Sequence, residues 1–424
     1  MQIIKYPKQI DWVKILQRPF TNGSSLEKKV RKVLNNVKKH GDTAVREYTE
    51  AFDGVQLKSF VTSKSEIAGA EKLITKDLKQ AITNAKNNIE KFHAGQLRPV
   101  EIIQTMPGIQ CWRKNVAIEK VGLYVPGGTA PLFSTLLMLG IPATLAGCKR
   151  IVVCSPPGKN GRLHPAILFV AHLLGIHEVY KIGGVQAIAA LAYGTKTIAS
   201  VNKIFGPGNQ FITCAKQLVQ LDGVAVDLPA GPSEVAVFAD ATADASFVAA
   251  DLLSQAEHGP DSQVLLVCNT QSTISDTLTE LAKQLEQLPR KQIAKKSLAN
   301  SKIILVRNPQ EAINILNEYA PEHLILSCKN AKMLAGKVIN AGSVFIGHYS
   351  PESAGDYASG TNHTLPTNGF AKSYSGVSMD SFVKKITFQE LSAEGLRKIS
   401  KTVEVMAAAE GLQGHVNAVR ARLK

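Results

Sequence analysis

The sequence predicts an α/β protein with two parallel sheets, a short N-terminal arm and a helical C-terminal tail. Three observations support this fold class. Short apolar runs alternate with helix-length segments over residues 118–219 and again over 233–346, a rhythm typical of parallel sheets with helical crossovers. Glycine-rich turns follow several apolar runs, where parallel sheets bind ligands. The 424 residues are 45% hydrophobic and 20% charged, as in a folded globular protein.

The first hundred residues carry no recognisable chemistry. Residues 1–22 are expected to form an extended or poorly structured arm. From Ser24 to about His93 the apolar side chains are mostly three or four residues apart, as at Val30, Leu34 and Val37. This spacing predicts charged, amphipathic helices that act as a scaffold or cap.

The first alternation is expected to form an incomplete Rossmann-like sheet. It predicts strands at 118–124, 150–154, 178–182 and 202–205, and helices at 132–146, 164–173, 185–193 and 209–219. Three glycine turns lie at predicted strand ends: Tyr124-Val-Pro-Gly-Gly-Thr129, Gly183-Gly-Val-Gln186 and Phe205-Gly-Pro-Gly-Asn209. Glycine lets a backbone approach a phosphate, but Phe211 replaces the third glycine of the dinucleotide fingerprint. A nucleotide site and ordinary structural turns both explain these glycines.

The second alternation predicts another Rossmann-like sheet of similar plan. The predicted strands are 233–240, 263–268, 302–305, 323–327 and 342–346, and the helices between them are 243–258, 271–286, 309–318 and 329–337. Beyond about Asp380 the chain is polar, with helices predicted at 388–400 and 401–422. A helical tail with no sheet partner of its own is expected to pack on a neighbouring subunit.

Charge and cysteine content narrow the function classes. The formal net charge of +15 fits nucleic acid, a membrane surface or an anionic ligand such as a dinucleotide. The lysines are scattered in pairs without interleaved aromatic residues, so we interpret the charge as a solvated surface and expect no nucleic-acid partner. The six cysteines form no Cys-x-x-Cys pair, which argues against a thiolate zinc site and a disulfide framework.

Membrane insertion and secretion are not expected. The N-terminus lacks the apolar core of a secretory signal. Residues 121–148 are uncharged, but Pro126, Pro131 and Pro142 divide them into pieces too short to cross a bilayer. We therefore expect a cytoplasmic protein without a membrane partner.

The stretch 251–263 holds the first candidate metal ligands. It is predicted to be the end of an amphipathic helix that Gly259 and Pro260 stop. Gln255 and His258 are three residues apart, so one helical turn presents both side chains on one face. A catalytic zinc site takes about three protein ligands. Other segments must supply the rest, and the candidates there are Glu322, His323, Asp356, His363, Glu410 and His415.

Several longer motifs resemble those of histidinol dehydrogenases. They are Ser-Gln-Ala-Glu-His-Gly-Pro-Asp-Ser-Gln (254–263), Ala-Pro-Glu-His-Leu (320–324), Ser-Pro-Glu-Ser-Ala-Gly-Asp-Tyr-Ala-Ser-Gly-Thr-Asn-His (350–363), Phe-Gly-Pro-Gly-Asn (205–209) and Pro-Ala-Gly-Pro-Ser-Glu-Val (229–235). With the Tyr124 turn and His415, the resemblance covers most of the chain from about Gly122. Ala320 stands where glycine is expected, a departure that touches no functional side chain.

This resemblance implies an NAD-dependent, zinc-containing homodimer that oxidises L-histidinol to L-histidine through L-histidinaldehyde. Its catalytic pair would be Glu322 and His323. One Zn²⁺ per subunit would be bound by Gln255, His258, Asp356 and His415. The NAD site would be lined by Tyr124, Gln186 and Asn209. The substrate contacts would be Ser233, Gln255, His258, His323, Asp356, Glu410 and His415, with the tail reaching into the partner's site.

The alternations and the resemblance together predict that the chain is divided into four parts. Residues 1–22 would be the arm, and 23–123 plus 233–378 a first α/β domain with the metal and catalytic residues. Residues 124–232 would form a second α/β domain that binds NAD, and 379–424 the helical tail domain.

The predicted catalytic pair requires a particular backbone. Neighbouring residues on an extended strand point to opposite faces, so Glu322 and His323 can cooperate only at a turn or strand end. His323 would remove the alcohol proton, and Glu322 would activate water for addition to the aldehyde. The alternative function is a zinc-dependent hydrolase with Glu322 as base on metal-bound water, which would leave the glycine turns without a role.

Overall fold

The computed structural model describes residues 1–18, 23–127 and 131–424. Gly128 and Thr129 of the Tyr124 turn lie outside the described residues, as do residues 19–22 of the predicted arm. The strands are β1 (Gln2–Lys5), β2 (Ile102–Met106), β3 (Ile109–Ala117), β4 (Lys120–Tyr124), β5 (Arg150–Ser155), β6 (Glu178–Lys181), β7 (Lys203–Phe205), β8 (Ala225–Val226), β9 (Glu234–Ala239), β10 (Gln263–Cys268), β11 (Lys302–Leu305), β12 (His323–Ser327), β13 (Ser343–Ile346) and β14 (Val383–Leu391).

The α-helices account for most of the remaining described chain. They are α1 (Trp12–Ile15), α2 (Gly23–His40), α3 (Asp42–Asp53), α4 (Lys64–Gly69), α5 (Lys76–Ala94), α6 (Phe133–Leu145), α7 (Pro165–Leu173), α8 (Gly184–Tyr193), α9 (Gln210–Leu221), α10 (Ala245–Ala256), α11 (Gln271–Leu285), α12 (Lys291–Ala299), α13 (Pro309–Tyr319), α14 (Ala331–Ala335), α15 (Glu352–Tyr357), α16 (Ala393–Ala409) and α17 (Gln413–Arg420).

Five parallel strands form the first sheet in the order β6–β5–β4–β7–β8. Counted from β4, this is the order 3-2-1-4-5 of a Rossmann-like sheet. Strands are added on one side of β4 as far as β6 and then on its other side from β7, so the strand order reverses between β4 and β7. The carboxyl ends of these two strands border the crevice where such sheets bind ligands. The strands and helices predicted for residues 118–219 are confirmed to within a few residues at their ends.

Six parallel strands form the second sheet in the order β1–β11–β10–β9–β12–β13. Without β1, the order counted from β9 is again 3-2-1-4-5, so the two α/β layers share one plan. The predicted elements of residues 233–346 are confirmed, and α12 is an additional helix. The N-terminal arm begins as an edge strand, because Gln2–Lys5 pairs with Lys302–Leu305.

The helices of residues 23–94 pack against the five-stranded sheet. α2 contacts α8 and α9, and α5 contacts α6. Val30 and Val37 share a buried core with Ile188, and Ile82 and Ile89 belong to the core on the other face of that sheet. This packing argues against grouping these helices with the six-stranded sheet, while the domain boundaries themselves stay a prediction.

An antiparallel sheet of three strands joins the two halves of the sequence in the order β14–β3–β2. Val383–Leu391 pairs with Ile109–Ala117 over nine residues. The prediction of helix from residue 388 was therefore wrong as far as Leu391, and helix begins at Ala393. β14 is exposed along most of its length, so neither of its faces has to be apolar. It therefore lacks the alternation of apolar and polar residues by which strands are identified in a sequence.

The uncharged run at 121–148 contains β4 and α6. α6 is only 13 residues long, is almost wholly buried and carries Pro142 within it. Among the described residues, no helix combines the length and apolar character needed to cross a membrane.

Candidate active site at the amino ends of the six-stranded sheet

The predicted catalytic residues lie at the amino ends of neighbouring strands. His323 is the first residue of β12, and it stands opposite Val235 near the start of β9. Gln255 lies at the end of α10, just before the chain returns to the amino end of β10. Asp356 lies on α15. Elements far apart in sequence thus bring Gln255, Asp356 and the pair Glu322–His323 to one place.

The turn required for the catalytic pair is present. Ala320 caps the C-terminal end of α13 with a φ of 50°, in the left-handed region, and Pro321 follows. Both side chains of the pair are buried, and Glu322 Oε2 lies 3.7 Å from His323 Nδ1. The prediction of a turn before the pair is therefore confirmed. Ala320 occupies a left-handed position, where glycine is strongly preferred.

The ring of His323 is surrounded by acceptors. Its Nδ1 lies 3.1 Å from the carbonyl oxygen of Glu234 and 3.6 Å from Glu352 Oε1, and its Nε2 lies 3.4 Å from Asp356 Oδ1. A carbonyl can only accept a hydrogen bond, so Nδ1 carries a proton in this arrangement. Nε2 is then the ring atom free to exchange a proton.

The charges of this cluster shift the pKa values of its members. Burial raises the pKa of Glu322 to about 8 and raises that of Glu352 well above its usual range. Burial alone would lower the pKa of His323, but the carboxyl groups of Glu352 and Glu322 raise it well above its usual value. Burial opposes ionisation of Asp356, and its contact with His323 lowers its pKa nevertheless. The raised pKa values of the two glutamates show that the site holds more carboxyl groups than its imidazole can neutralise, and a bound cation would favour their ionised forms.

Three side chains of the cluster are placed to hold a metal ion. Ligand atoms of His258, Glu352 and Asp356 all lie within 4.8 Å of one another. His258 is exposed, Glu352 is buried, and Asp356 is half-buried. Glu352 Oε2 and Asp356 Oδ1 are buried and make no hydrogen bond within the described chain. Such oxygens fit a divalent cation, because a buried carboxylate otherwise needs a partner.

Gln255 lies beside the candidate metal ligands His258, Glu352 and Asp356. In the orientation that satisfies its amide, Nε2 donates to Glu352 Oε1 and the amide oxygen accepts from the N–H of Glu234 at 2.8 Å. The side chain is almost completely buried. The predicted ligands Gln255, His258 and Asp356 are thus brought together within one chain.

The tail residues do not join them within this chain. Glu410 and His415 are exposed, and α17, which carries His415, packs against α16. In the part of the chain that the structure describes, His415 does not belong to the group that is close enough to hold a metal. Ser233 is half-buried and immediately precedes Glu234, so it borders the cluster.

The three predicted NAD residues lie on turns of the five-stranded sheet. Tyr124 ends β4, and its hydroxyl oxygen accepts from the N–H of Gly184 at 3.3 Å. Gln186 is in the first turn of α8, and both polar atoms of its fully buried amide lack a hydrogen-bond partner among the described residues. Asn209 accepts from the N–H groups of Phe211 and Ile212 and thereby caps α9. The unpartnered amide of Gln186 fits a polar ligand in this crevice.

Two residues of the site received no role from the sequence. Glu352 lies four residues before Asp356 on α15, and this helical spacing was the available signal. His363 was a candidate without a function. Its Nδ1 lies 2.9 Å from the carbonyl oxygen of Asp356, and its Nε2 lies 3.4 Å from Thr135 Oγ1 on α6. His363 therefore connects the metal-type cluster to the layer that carries the glycine turns.

The fold and the site together fit a metal-dependent enzyme with two Rossmann-like sheets. The family model for histidinol dehydrogenase matches residues 16–423. A histidinol dehydrogenase from Bacteroides thetaiotaomicron is 57% identical over 423 residues, covering 100% of this chain and 99% of that protein. One from Mannheimia succiniciproducens is 50% identical over 412 residues, covering 96% of this chain and 95% of that protein.

A solved structure agrees with the family model. A crystal structure of histidinol dehydrogenase from Elizabethkingia anophelis has a TM-score of 0.97 and 52% identity, covering 100% of this chain and 98% of that chain. An acetylating aldehyde dehydrogenase from Geobacillus thermoglucosidasius has a TM-score of 0.50 at 13% identity, covering 88% of this chain and 93% of that chain, which concerns the fold alone. This chain belongs to the histidinol dehydrogenase family.

Membership fixes the activity as oxidation of histidinol at the end of histidine biosynthesis, with NAD and zinc as the family's cofactors. The alternative of a zinc-dependent hydrolase is therefore wrong.

Proposed function

We propose that Glu322 and His323 are the catalytic residues in the oxidation of L-histidinol to L-histidine through L-histidinaldehyde. The observation that carries this proposal is the convergence of both side chains with Asp356 at the amino ends of β9 and β12. As a biosynthetic enzyme that uses NAD, it is expected to act in the cytoplasm.

Zinc would be held by Gln255, His258 and Asp356, with His415 as a fourth ligand. When bound, the ion would hold the imidazole and amine nitrogens of the substrate, because borderline zinc accepts nitrogen ligands readily. The close approach of His258 and Asp356 and the unpartnered Asp356 Oδ1 support this assignment. Glu352 would orient the Gln255 amide through the hydrogen bond between them.

His323 would manage the protons of both oxidation steps. Its Nδ1 is occupied by the Glu234 carbonyl, so Nε2 is the atom that would remove the hydroxyl proton as NAD accepts the hydride. Glu322 would then take a proton from water as the water oxygen adds to the aldehyde carbon, and the protonated His323 would return its proton to the aldehyde oxygen, giving the hydrate and a neutral imidazole. His323 would remove a hydroxyl proton from the hydrate during the second hydride transfer. Oxidation of one histidinol therefore consumes two NAD and one water and forms two NADH.

The NAD site would be formed by Tyr124, Gln186 and Asn209 at the carboxyl ends of the five-stranded sheet. Crevices at this end of Rossmann-like sheets bind dinucleotides. The buried, unpartnered amide of Gln186 supports the assignment, because such a group is costly without a ligand. Asn209 already caps α9, so its side chain would bind NAD from the cap position.

The active unit would be a homodimer in which the tail of a second copy supplies Glu410 and His415. Both residues are exposed here, and Ser233 would complete the substrate contacts with them. Several large apolar side chains are also exposed on β2 and on α16, which supports a partner surface. They are Ile102, Ile103, Met106, Val405 and Met406.

The test separates the two oxidation steps. In Glu322→Gln we expect histidinol oxidation to continue while histidinaldehyde oxidation falls about 100-fold, as is typical for the loss of a general base. In His323→Asn both steps should slow. NADH absorbance is followed with each substrate, and the exposed residues Glu71→Gln and His40→Asn serve as matched controls. Oxidation of the aldehyde at the full rate by Glu322→Gln would disprove the assigned water activation.

A further inference from the structure

We infer that the ion pair between Arg18 and Glu234 is a positioning device for the catalytic pair, so that the N-terminal arm is part of the active-site framework. The inference rests on the proposed roles of Glu322 and His323. It assigns a function to two residues that touch neither substrate nor cofactor in the mechanism above.

The main chain of Glu234 holds both catalytic side chains. Its N–H lies 2.8 Å from Glu322 Oε2 and is shared with the Gln255 amide oxygen, and its carbonyl oxygen lies 3.1 Å from His323 Nδ1. One residue thus orients the carboxyl group and the imidazole, and it selects the ring tautomer that leaves Nε2 free. A displacement of Glu234 would move both groups together.

Arg18 fixes the side chain of Glu234. The guanidinium donates from Nε to Oε1 at 2.5 Å and from Nη2 to Oε2 at 2.7 Å, a bidentate pair in which the two side chains are 14% and 4% exposed. The N–H of Asn368 donates to Oε1 at 2.9 Å. Bidentate pairing fixes direction as well as distance.

The same guanidinium also holds the segment that leads into the catalytic pair. Nη2 donates to the carbonyl oxygen of Tyr319 at 2.8 Å, and the guanidinium carbon lies 4.0 Å from the centre of the Tyr319 ring. Tyr319 is the last residue of α13, and the left-handed Ala320 follows it. Arg18 therefore binds the segments on both sides of the catalytic pair, the start of β9 and the turn before β12.

The position of Arg18 in the fold makes this contact specific. The arm before it is anchored by β1 at the edge of the six-stranded sheet and by Trp12 and Leu16, which are buried in the core beside Leu316. Lysine could supply the charge but not the planar fork that reaches Glu234 and Tyr319 at once. The geometry thus distinguishes arginine from lysine at position 18.

The experiment uses the zinc-loaded full chain with the variants Arg18→Met and Arg18→Lys. Arg307→Met is the matched control, because Arg307 also pairs with a glutamate, Glu311, and lies over a tyrosine ring, but with its side chain 59% exposed. We expect kcat with histidinol to fall about 10- to 100-fold in Arg18→Met, since small misplacements of reacting groups cost up to about that factor. The KM for NAD should change less than about twofold, because the NAD turns lie on the other sheet.

A second readout follows the fate of the aldehyde. If Glu322 is displaced, hydration slows and aldehyde escapes, so Arg18→Met should release histidinaldehyde and form fewer than two NADH per histidinol. Loss of stability alone lowers the amount of folded enzyme and leaves this ratio at two. Arg18→Lys should lie between Arg18→Met and the parent enzyme in both readouts.

The outcomes separate this inference from the proposed function. The inference is overturned if folded Arg18→Met keeps the parent kcat and the ratio of two. If Arg18→Met does not fold, Arg18→Lys decides, and parental values of both readouts in that variant overturn the inference equally. Glu322→Gln is measured in parallel. If it oxidises the aldehyde normally, the proposed function fails, whatever Arg18 does.

Discussion

A buried ion pair under one of the glycine turns gives a sharp prediction about NAD binding. Lys216 and Asp227 pair with side chains that are 5% and 1% exposed. Lys216 Nζ also donates to the carbonyl oxygen of Gly206 at 2.9 Å, and Asp227 Oδ2 accepts from the N–H of Gly206 at 2.8 Å. The pair therefore holds both polar groups of the residue that begins the turn leading to Asn209.

Lys216→Met should destabilise the chain and weaken NAD binding. It leaves the buried Asp227 carboxylate without its cationic partner, which costs about 3–5 kcal/mol. At roughly 2–4 °C per kcal/mol for a domain of this size, the unfolding midpoint should fall by about 10 °C. Because the turn carries Asn209, the KM for NAD should rise about tenfold, a loss of about 1.4 kcal/mol.

The assays are thermal unfolding followed by circular dichroism and NADH formation at varied NAD. Lys38→Met is the matched control, because Lys38 pairs with Asp222 at 3.8 Å with both side chains exposed, and such pairs contribute about 0–1 kcal/mol. The double variant Lys216→Met/Asp227→Leu should recover part of the stability, since no charge is then left unpaired. An unchanged midpoint and an unchanged KM in Lys216→Met would refute the reasoning.

Three further predictions concern the metal, the turn and pH. Asp356→Ala should lose zinc and activity together, and zinc retained in metal analysis would remove Asp356 from the proposed shell. Gly206→Ala should lower both stability and NAD affinity, because an added Cβ would lie 2.1 Å from the carbonyl oxygen of Tyr124; a parental KM for NAD would contradict this. Burial raises the pKa of Asp251 to about 7, so the folded state binds the extra proton and loses stability as pH rises toward that value. Asp251→Asn should therefore raise the unfolding midpoint at about pH 8 and have much less effect at about pH 5, and equal effects at both would show that the carboxyl is not the cause.

Both parallel sheets could be predicted from the sequence because their strands are buried on both faces. β9 and β10 are apolar along nearly their whole length and are flanked by helices with clear periodicity. β2 is exposed at every residue, and β14 pairs with a strand that lies far away in the sequence. No local pattern marks such strands, which is why the antiparallel sheet was missed.

The site could be predicted only in part, because motifs reveal residues along the chain and do not reveal how distant segments pack. Motifs identified Glu322, His323 and Asp356, which the structure brings together. The spacing of Glu352 and Asp356 placed both on one helix, but Glu352 received no role because its contacts with His323 and Gln255 depend on how α15 packs. Arg18 lies in a segment without a motif, and only the folded arm brings it to Glu234.

The pairing of strands that lie far apart in the sequence has a consequence for synthesis on the ribosome. β1 is synthesised about 300 residues before its partner β11, and β3 about 270 residues before its partner β14. Nascent chains therefore contain incomplete sheets during much of their synthesis, and the unpaired strand edges promote aggregation. Premature termination before Val383 would release a polypeptide in which β3 is permanently exposed along one side, a substrate for chaperones and proteases.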